Sequence, residues 1–276
     1  MVTDIAGPKS SVATTQLIQE IATWLRARFD ESKAQRFVLG LSGGIDSAVV
    51  CALCARAAGP DRVLGVIMPS SSNPDDAQSA SLVATAFKVP TVSVDLTDVT
   101  ERFYGAMPDQ AALTGLLGAG KGEMWLDAQH LATANVRPRL RMTTLYYLAN
   151  LCGGLVVGTG NKSEASVGYF TKYGDGGVDL FPIIDLYKFE VRAIARELGV
   201  PQSVIDRPPS AGLWQDQTDE EELGISYDEL DEVLLAMERG DTSGLNEATV
   251  ERIATMNRVS EHKRQPVPAY ARNVAK

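Results

Sequence analysis

Short apolar runs alternate with amphipathic segments over the first two thirds of the chain. The segments before and between these runs repeat apolar positions at helical spacing, which predicts helices at residues 14–30, 46–58 and 74–87. The runs are continuous and end at glycine, proline or polar residues, as is typical of buried parallel strands, here predicted at residues 37–41, 63–68, 91–96 and 155–157. The predicted fold class is α/β, an open parallel sheet with helices on both faces, similar to a Rossmann fold.

A long insertion, residues 98–154, separates the third and fourth predicted strands. Its second half, residues 126–150, has the pattern of one long helix interrupted near Pro138. Such a helix is longer than one crossover requires, so it either packs against a second subunit or is buried within one subunit. The last third of the chain predicts a loop at residues 208–222 with the length of an active-site lid, and three helices, at residues 187–198, 227–239 and 246–262.

The composition is typical of a globular protein and argues against nucleic-acid-binding, membrane-spanning and disulfide-rich proteins. The chain has 276 residues, of which 45% are hydrophobic, and a net charge of −9. That charge disfavours a dedicated nucleic-acid binder, because it repels phosphate backbones on average. The longest apolar stretch, residues 48–55, is far shorter than the ~18 residues that cross a membrane. The three cysteines cannot form a closed disulfide set. We expect a cytoplasmic protein of one domain, residues 1–276, without nucleic-acid or membrane partners.

The strongest chemical signal is the segment GLSGGIDS, residues 40–47, between the first predicted strand and the next helix. Backbone N–H groups and the positive end of the helix dipole converge there and form an anion site. Gly43 and Gly44 allow close approach of a phosphate, Ser42 and Ser47 add hydroxyl donors, and Asp46 can hold a magnesium ion. A plain strand-to-helix turn is the alternative, and the serines and the aspartate around the glycines argue against it.

Two other segments resemble motifs without fulfilling them. Residues 115–122 read GLLGAGKG, close to the Walker A pattern, but Gly122 stands where Ser or Thr would bind magnesium. No apolar strand precedes this segment, so we interpret it as a flexible loop. Cys51 and Cys54 spell C-x-x-C within an apolar helix, with no second pair and no nearby histidine. They are interpreted as buried hydrophobic residues rather than a zinc or redox site.

The motifs of this chain resemble those of known enzyme families, which reduces the number of reactions to consider. The run S-G-G-x-D-S resembles the pyrophosphate-binding loop of ATP pyrophosphatases, which cleave ATP between the α- and β-phosphates. Six further segments resemble the ammonia-dependent NAD synthetases in order and spacing: residues 135–142, 158–164, 168–177, 209–214, 219–224 and 262–264. The resemblance implies an adenine nucleotide alpha hydrolase-like fold and an obligate homodimer. It also implies formation of NAD from deamido-NAD, ammonia and ATP through an acyl adenylate, with Mg²⁺ as cofactor and AMP and pyrophosphate as products.

The resemblance also assigns residues to each ligand. It implies magnesium ligands at Asp46 and Glu164. It implies ATP contacts at Gly40, Leu41, Ser42, Gly43, Gly44, Ile45, Asp46, Ser47, Thr159, Lys188 and Ser210. It implies deamido-NAD contacts at Arg139, Lys172, Asp179, His262 and Lys263.

Neighbouring residues leave alternatives open. Arg137 and Arg141 are four positions apart on one helical face, for which a solvated basic face is the simple interpretation. Phe170 and Tyr173 either stack on the nicotinate ring or pack in the core. Residues 68–77 depart from the Pro-Tyr-Gly run common in bacterial ammonia-dependent members and are closer to glutamine-dependent ones, so the adenine and ribose contacts stay unassigned.

Amide formation requires unprotonated ammonia, so a residue should accept a proton. The chain contains only two histidines, His130 and His262, which favours a carboxylate. We select Asp175 in the glycine-rich loop as the catalytic residue, with a merely solvated carboxylate as the alternative. Too few residues precede the first strand, predicted to begin at residue 37, to form the amidase domain of glutamine-dependent enzymes. Free ammonia is therefore the expected nitrogen source.

Two other functions are compatible with the motifs. Another adenylating ATP pyrophosphatase, such as a tRNA-modifying enzyme, should carry a basic face or an RNA-binding module. A non-catalytic nucleotide binder of the same fold is the second alternative, since fold does not determine function. The presence of Asp46, Glu164 and Lys188 together argues against the passive binder, because such a site needs no pair of magnesium ligands.

Overall fold

The computed structural model of the protein describes residues 9–108, 123–210, 218–270 and 272. Four parallel strands form one sheet in the order β3-β2-β1-β4. They are β1 (Arg36–Gly40), β2 (Val63–Ile67), β3 (Thr91–Ser93) and β4 (Gly154–Val156). In this register Val38 of β1 lies opposite Leu64 of β2 and Val156 of β4. The predicted parallel α/β sheet is confirmed.

Helices surround the sheet and follow it along the chain. Those described are α1 (Lys9–Ser32), α2 (Ile45–Ala58), α3 (Pro74–Phe87), α4 (Thr97–Gly105), α5 (Glu123–Ala134), α6 (Val136–Cys152), α7 (Lys162–Val167), α8 (Lys188–Leu198), α9 (Gln202–Ile205), α10 (Asp219–Leu223), α11 (Tyr227–Arg239), α12 (Glu247–Val259) and α13 (Glu261–Arg264). A 3₁₀ turn, Pro60–Arg62, precedes β2. Within the described ranges, none of the helices combines the length and the apolar character needed to cross a membrane.

Strand β1 is buried on both faces, as its apolar sequence predicts. Phe37 and Leu39 pack into a cluster with residues of α1, α2 and α8. Val38 points the other way, into a cluster with Leu145 and Ala149 of α6. A third cluster joins α11 to α12 around Tyr227, which is fully buried, and α10 contributes to it. Side chains alternate between faces along a strand, so a continuous apolar run fills both layers.

Several predicted boundaries differ from those in the structure. The segment 126–150 is interrupted near Pro138, as predicted, but the break itself lies at Asn135, where α5 and α6 meet. Pro138 occupies the first turn of α6, where its missing N–H is tolerated. Strand β3 ends at Ser93 rather than at residue 96, although the amides of Val94 and Leu96 still donate to the carbonyls of Ile67 and Pro69 at 2.9 and 2.8 Å. Residues 246–262 divide at Ser260 into α12 and α13. Part of the predicted loop 208–222 is the helix α10.

Of the two motif-like segments, the C-x-x-C pair lies within the described residues. Cys51 and Cys54 lie buried inside α2, as predicted, and burial raises the pKa of the Cys51 thiol to about 12. A thiol with so high a pKa is a poor metal ligand or nucleophile. The Walker-like segment at residues 115–122 lies outside the described residues, as do residues 211–217 of the predicted lid.

Candidate active site

The GLSGGIDS segment lies where β1 ends and α2 begins, which is also where the sheet order changes direction. The chain runs outward from β1 to β2 and β3 and then returns to the other side of β1 as β4. In open α/β sheets ligands bind at the carboxyl ends of the strands beside such a reversal. Gly44 is the N-cap of α2 and has no side-chain acceptor for the first amides of the helix. This helix N-terminus therefore suits an external anion.

Two serine hydroxyls shape this segment, which we call the phosphate cradle (residues 40–47). The Ser47 hydroxyl donates to the Gly44 carbonyl at 2.9 Å and accepts from the Ser42 amide at 3.3 Å. The Ser42 hydroxyl accepts from the Gly44 amide at 3.2 Å and lies 3.1 Å from the Ser47 hydroxyl. The serines thus hold the turn in shape, a role beyond the donor function predicted for them.

Three charged side chains meet beside the cradle, and we call them the ionic centre (Asp46, Glu164 and Lys188). Lys188 Nζ lies 2.7 Å from Asp46 Oδ2 and 3.2 Å from Glu164 Oε1. The lysine is only 1% exposed. The three residues are carried by α2, α7 and α8, far apart in sequence. The structure therefore assembles in one place the two predicted magnesium ligands and the predicted phosphate contact.

Asn161 organises the two carboxylates. Its side-chain amide donates to Asp46 Oδ1 at 2.9 Å, and its carbonyl oxygen accepts from the Glu164 amide at 3.0 Å. Glu164 Oε2 in turn accepts from the Asn161 amide at 3.2 Å, which completes a capping box at the start of α7. One oxygen of Glu164 is used in this box and the other faces Lys188. The N-x-x-E spacing at residues 161–164 is a capping-box signal that would have identified Asn161.

Burial and pairing determine the protonation of the ionic centre. Desolvation raises the pKa of Glu164 to about 8, while neighbouring Lys188 acts in the opposite direction. Desolvation lowers the pKa of Lys188, but the carboxylates of Asp46 and Glu164 outweigh it, so this pKa lies above its ordinary value. Lys188 therefore stays charged near neutral pH and acts as the counter-ion of Asp46, and also of Glu164 when Glu164 is ionised.

A cavity of about 370 Å³ opens in front of the cradle and the ionic centre. The predicted contacts Thr159 and Ser210 line it, as do Asp175 and Lys263. Its size lies in the range of sites for small molecules and cofactors. The cradle, the ionic centre and the predicted base thus face one space.

Sequence comparison decides the family, because the model of the family described as NAD synthase matches residues 17–267. The chain belongs to the NAD synthase family. The NH(3)-dependent NAD(+) synthetase of Carboxydothermus hydrogenoformans is 43% identical over 247 residues, which cover 90% of this chain and 93% of the relative. These findings confirm the predicted family, whose NAD synthetases are ATP-using ligases.

Solved structures agree with this membership of the NAD synthase family. An NMN synthetase from Francisella tularensis has a TM-score of 0.77 and 32% identity, and the match covers 95% of this chain and 99% of that one. An NH3-dependent NAD synthetase from Campylobacter jejuni has a TM-score of 0.73 and 26% identity, with 94% and 99% covered. The predicted fold is therefore confirmed by two nearly complete structural matches.

Four of the five residues predicted to bind deamido-NAD in this NAD synthase family member form one group. Arg139 donates to the Lys172 carbonyl at 3.4 Å, and Lys172 Nζ donates to the His262 carbonyl at 2.6 Å. Lys263 Nζ donates to the carbonyls of Gly168 and Phe170 at 2.7 and 2.9 Å. These bonds connect α6, the glycine-rich loop and α13.

The fifth predicted dinucleotide contact, Asp179, makes different contacts. Its Oδ2 accepts from the Val156 amide at 2.7 Å, and its Oδ1 accepts from the Tyr146 hydroxyl at 2.9 Å. Asp179 therefore joins β4 to α6, which gives it a structural role whatever it binds.

The predicted base, Asp175, is exposed to the cavity and fixed by the glycine-rich loop. Its Oδ1 accepts from the Thr171 amide at 2.9 Å, and the Thr171 hydroxyl donates to Asn135 at 2.5 Å. Desolvation raises the pKa of Asp175, and the bond from the Thr171 amide acts in the opposite direction. Asp175 therefore has both a defined orientation and access to a ligand in the cavity.

The interpretation of Arg137 and Arg141 as a solvated face is wrong. Arg141 lines the cavity and donates to the Met68 carbonyl at 3.3 Å and to the Ser72 hydroxyl at 3.2 Å. Arg137 Nε is buried without a hydrogen-bond partner among the described residues. Arg141 thus holds the segment 68–72, which departs from the family pattern, against the cavity wall. Helical spacing alone could not show this, because the segment lies across the fold.

The two aromatic residues of the glycine-rich loop also differ from each other. Phe170 lines the cavity and packs on Gly176, where a Cβ would lie 2.7 Å from its ring. Tyr173 is 52% exposed, so the predicted alternative of packing in the core is wrong for this residue. Of the two, Phe170 is the one that lines the cavity.

A group of acidic and phenolic residues lies beside the ionic centre and was not predicted to act there, because its contacts join residues far apart in the sequence. The Tyr227 hydroxyl lies 3.1 Å from Asp219 Oδ2 and 3.4 Å from Glu164 Oε1. The Tyr169 hydroxyl lies 3.1 Å from Asp219 Oδ1 and 2.8 Å from Glu222 Oε2. Burial raises the pKa of Asp219, while Lys188 acts in the opposite direction. These contacts attach α10, at the end of the predicted lid, to the charged end of the cavity.

Proposed function

We propose that this chain amidates deamido-NAD with ammonia, using ATP, and releases NAD, AMP and pyrophosphate. The observation that carries the proposal is the meeting of the phosphate cradle with Asp46, Glu164 and Lys188 at one cavity. Relatives named as ammonia-dependent NAD synthetases, about 40% identical over most of the chain, support this substrate and nitrogen source. The proposal treats residues 1–276 as one synthetase domain.

The reaction needs activation because a nicotinate carboxylate repels nucleophiles and has no good leaving group. A carboxylate oxygen attacks the α-phosphorus of ATP, and the bond from that phosphorus to the oxygen bridging the β-phosphate breaks. Pyrophosphate leaves and an acyl adenylate remains. Ammonia then attacks the acyl carbon, the bond to the AMP oxygen breaks, and a proton from nitrogen passes to a base. Negative charge develops in the transition state of both steps, and preorganised hydrogen-bond donors and cations must stabilise it.

Each part of the site has a role in this scheme. The amides and hydroxyls of residues 40–47 would bind the β- and γ-phosphates, which leave together as pyrophosphate. Lys188 Nζ would meet negative charge developing on the phosphates. Thr159 and Ser210 line the same cavity and are proposed ATP contacts. The group formed by Arg139, Lys172, His262 and Lys263, together with Asp179, is proposed to bind deamido-NAD.

The donor set at the ionic centre fits a magnesium ion that arrives with ATP. Asp46 Oδ2 and Glu164 Oε1 lie 2.7 and 3.2 Å from the same atom, Lys188 Nζ. The two carboxyl groups therefore converge closely enough to bind one cation together. Mg²⁺ is commonly held by one or two carboxylates plus substrate phosphates. The described residues hold no cluster of three acidic, histidine or cysteine ligands that would bind a metal alone. When bound, Mg²⁺ would neutralise phosphate charge and polarise the α-phosphate.

Replacing Asp175 by asparagine should separate the two half-reactions. Asparagine keeps the shape of the side chain but cannot accept the proton from nitrogen, so amide formation should fall by about 10²–10⁴-fold. Adenylate formation, followed by deamido-NAD-dependent ATP–pyrophosphate exchange, should be retained. Asp185→Asn, which changes an exposed carboxylate paired with Lys162, is the control. Equal losses in both half-reactions would argue for a role of Asp175 in binding or folding.

The protein is proposed to act as a homodimer, with α6 at the interface. Tyr147 and Leu151 on α6 are 63% and 68% exposed, and burying such apolar side chains stabilises association. Tyr147→Glu should shift the protein toward monomer in sedimentation velocity. Val12→Glu, a change of similar character on α1, should leave the dimer intact. A monomeric wild-type protein, or a Tyr147→Glu variant that remains dimeric, would contradict this interface.

Nicotinate mononucleotide is a second candidate substrate, favoured by the likeness to an NMN synthetase with a TM-score of 0.77. Deamido-NAD ranks first because the curated NAD synthetase relative has the higher identity, 43% against 32%. The deciding experiment supplies ATP, Mg²⁺ and either substrate, with ammonium or glutamine, and follows AMP and the amide product. We expect AMP and NAD from deamido-NAD with ammonium. Stoichiometric ADP would contradict the proposed bond cleavage, and turnover of the mononucleotide alone would support the second candidate.

A further inference from the structure

Asp231 is a buried carboxylate whose position the proposed reaction does not explain. It lies on α11, is 2% exposed, and has the apolar neighbours Leu230, Val233 and Leu234 along its helix. It is not among the described residues that line the cavity. A carboxylate is expensive to bury unless hydrogen-bond donors compensate the lost water. Its contacts therefore indicate what it does.

The donors come from the first residues of two other helices. Asp231 Oδ1 accepts a short hydrogen bond from the Ser163 hydroxyl in α7. Asp231 Oδ2 accepts from the Phe189 amide of α8 at 3.0 Å. The Ser163 hydroxyl also accepts from the Lys188 amide at 3.0 Å. The first two amides of α8, which lack partners within the helix, are thus satisfied by Ser163 and Asp231.

Each contacted residue is adjacent to a member of the ionic centre. Ser163 precedes Glu164, and Phe189 follows Lys188, whose own amide is bound to Ser163. One carboxylate therefore fastens together the backbones that carry Glu164 and Lys188. Their side chains meet at 3.2 Å, a distance that a small shift of either helix would change. The negative charge of Asp231 also lies at the positive end of α8, where it is favoured by the helix dipole.

From this geometry we infer that Asp231 is a positioning residue for Lys188 and Glu164. The inference rests on the proposed function, in which these two residues act on ATP. Asp231 touches neither the cavity nor a reacting atom, so it acts through the backbones of α7 and α8. Fixing the start of α8 holds Lys188 beside Asp46 and reduces the freedom of a long side chain before ATP arrives.

Asp231→Asn tests the inference because it keeps size and removes one acceptor. An asparagine oxygen can still accept from one donor, but its NH₂ group faces the other and cannot accept. The matched control is Asp228→Asn. Asp228 also links α11 to α8, through Arg192 at 2.6 Å, but its side chain is 79% exposed and it does not contact the start of α8. Comparing the two variants separates the effect of the bonds from Asp231 to Ser163 and Phe189 from the effect of any other contact between α11 and α8.

The first measurement is the reactivity of Lys188 in the ligand-free protein. Competitive acetylation followed by mass spectrometry compares Lys188 with Lys162, which pairs with Asp185 and Glu238. In Asp231→Asn we expect Lys188 to react several-fold faster than in the wild type, because it is held less firmly in its ion pairs. Lys162 should react as before, and Asp228→Asn should change neither lysine.

The second measurement is ATP–pyrophosphate exchange with deamido-NAD. We expect kcat of Asp231→Asn to fall by about 10- to 100-fold, as misplacement of a catalytic group does, without a comparable change in KM for deamido-NAD. Ser163→Ala should act in the same direction, and it serves as the test if Asp231→Asn does not fold. Thermal unfolding of every variant shows the folded fraction, to which kcat is normalised.

The outcomes distinguish the inference from the function on which it rests. Lower stability with unchanged kcat and unchanged Lys188 reactivity in Asp231→Asn would overturn the positioning role. Equal effects of Asp231→Asn and Asp228→Asn would overturn it as well. If the wild type catalyses no exchange with any pyridine acid, the proposed function fails. The acetylation experiment still decides whether Asp231 holds Lys188.

Discussion

Lys188→Met should lower the rate of adenylate formation by about 10²–10³-fold, the loss seen when one preorganised electrostatic group is removed from an active site. Methionine fills much of the same volume but cannot neutralise Asp46 and Glu164 or meet charge developing on ATP. The measurement is ATP–pyrophosphate exchange with deamido-NAD, normalised to folded protein. Lys188 is buried and paired with both carboxylates, so the fold itself should also respond.

Unfolding measurements test that second effect of Lys188→Met. Removing one partner of a buried ion pair leaves the others uncompensated and typically costs about 3–5 kcal/mol. Protonation of Glu164, whose pKa burial already raises to about 8, should reduce this loss as the pH falls. The control is Lys162→Met, which breaks partly exposed ion pairs with Asp185 and Glu238. A Lys188→Met variant within a few-fold of wild-type exchange would refute the assigned role.

Gly43→Ala should destabilise the protein and abolish ATP binding. Gly43 has φ of +83°, and an added Cβ would lie 2.4 Å from the Asp76 carbonyl oxygen and 2.9 Å from Ser79 Cβ. Both contacts are with α3, whose backbone must move to make room. Overpacking and a left-handed backbone each carry a penalty, which together we expect to lower the free energy of unfolding by about 2–4 kcal/mol.

The control for Gly43→Ala is another glycine with a positive φ. Gly59 has φ of +92°, and a Cβ there would meet nothing within 4 Å. Gly59→Ala should cost about 1–3 kcal/mol, from backbone strain alone, and should leave ATP binding intact. Calorimetry with ATP and denaturant unfolding measure the two effects. Similar results for both variants would show that the contact with α3 is unimportant.

The sequence was most informative where the functional side chains and the residues that shape the backbone around them are close together in the chain. The cradle could be identified because serine, glycine and aspartate occupy consecutive positions between a strand and a helix. The capping box of Asn161 and Glu164 is likewise encoded within four consecutive residues. Predicted helix boundaries were inaccurate where one helix ends and the next begins within a single turn, as at Asn135 and Ser260.

Other site residues could not be predicted because their roles depend on distant partners. Arg141 contacts Met68 and Ser72, and Asp231 contacts Ser163 and Phe189. In each case the contacted residues lie outside the helix that carries Arg141 or Asp231. Without the fold, an arginine on α6 that lines the cavity has the same helical spacing as a solvated one. Asp231 is likewise one acidic residue among many in an acidic chain.

Apolar periodicity and local motifs in the amino-acid sequence thus determined the parallel α/β class, the cradle between β1 and α2, and the residue types for phosphate chemistry. Tertiary structure alone decided that Asp46, Glu164 and Lys188 share one point, that Arg141 faces the cavity, and that Asp231 joins α7 to α8. The physical reason is that local signals act over a few residues, through backbone geometry and side-chain spacing. Burial and ion pairing act between elements that meet only when the sheet and its helices are packed.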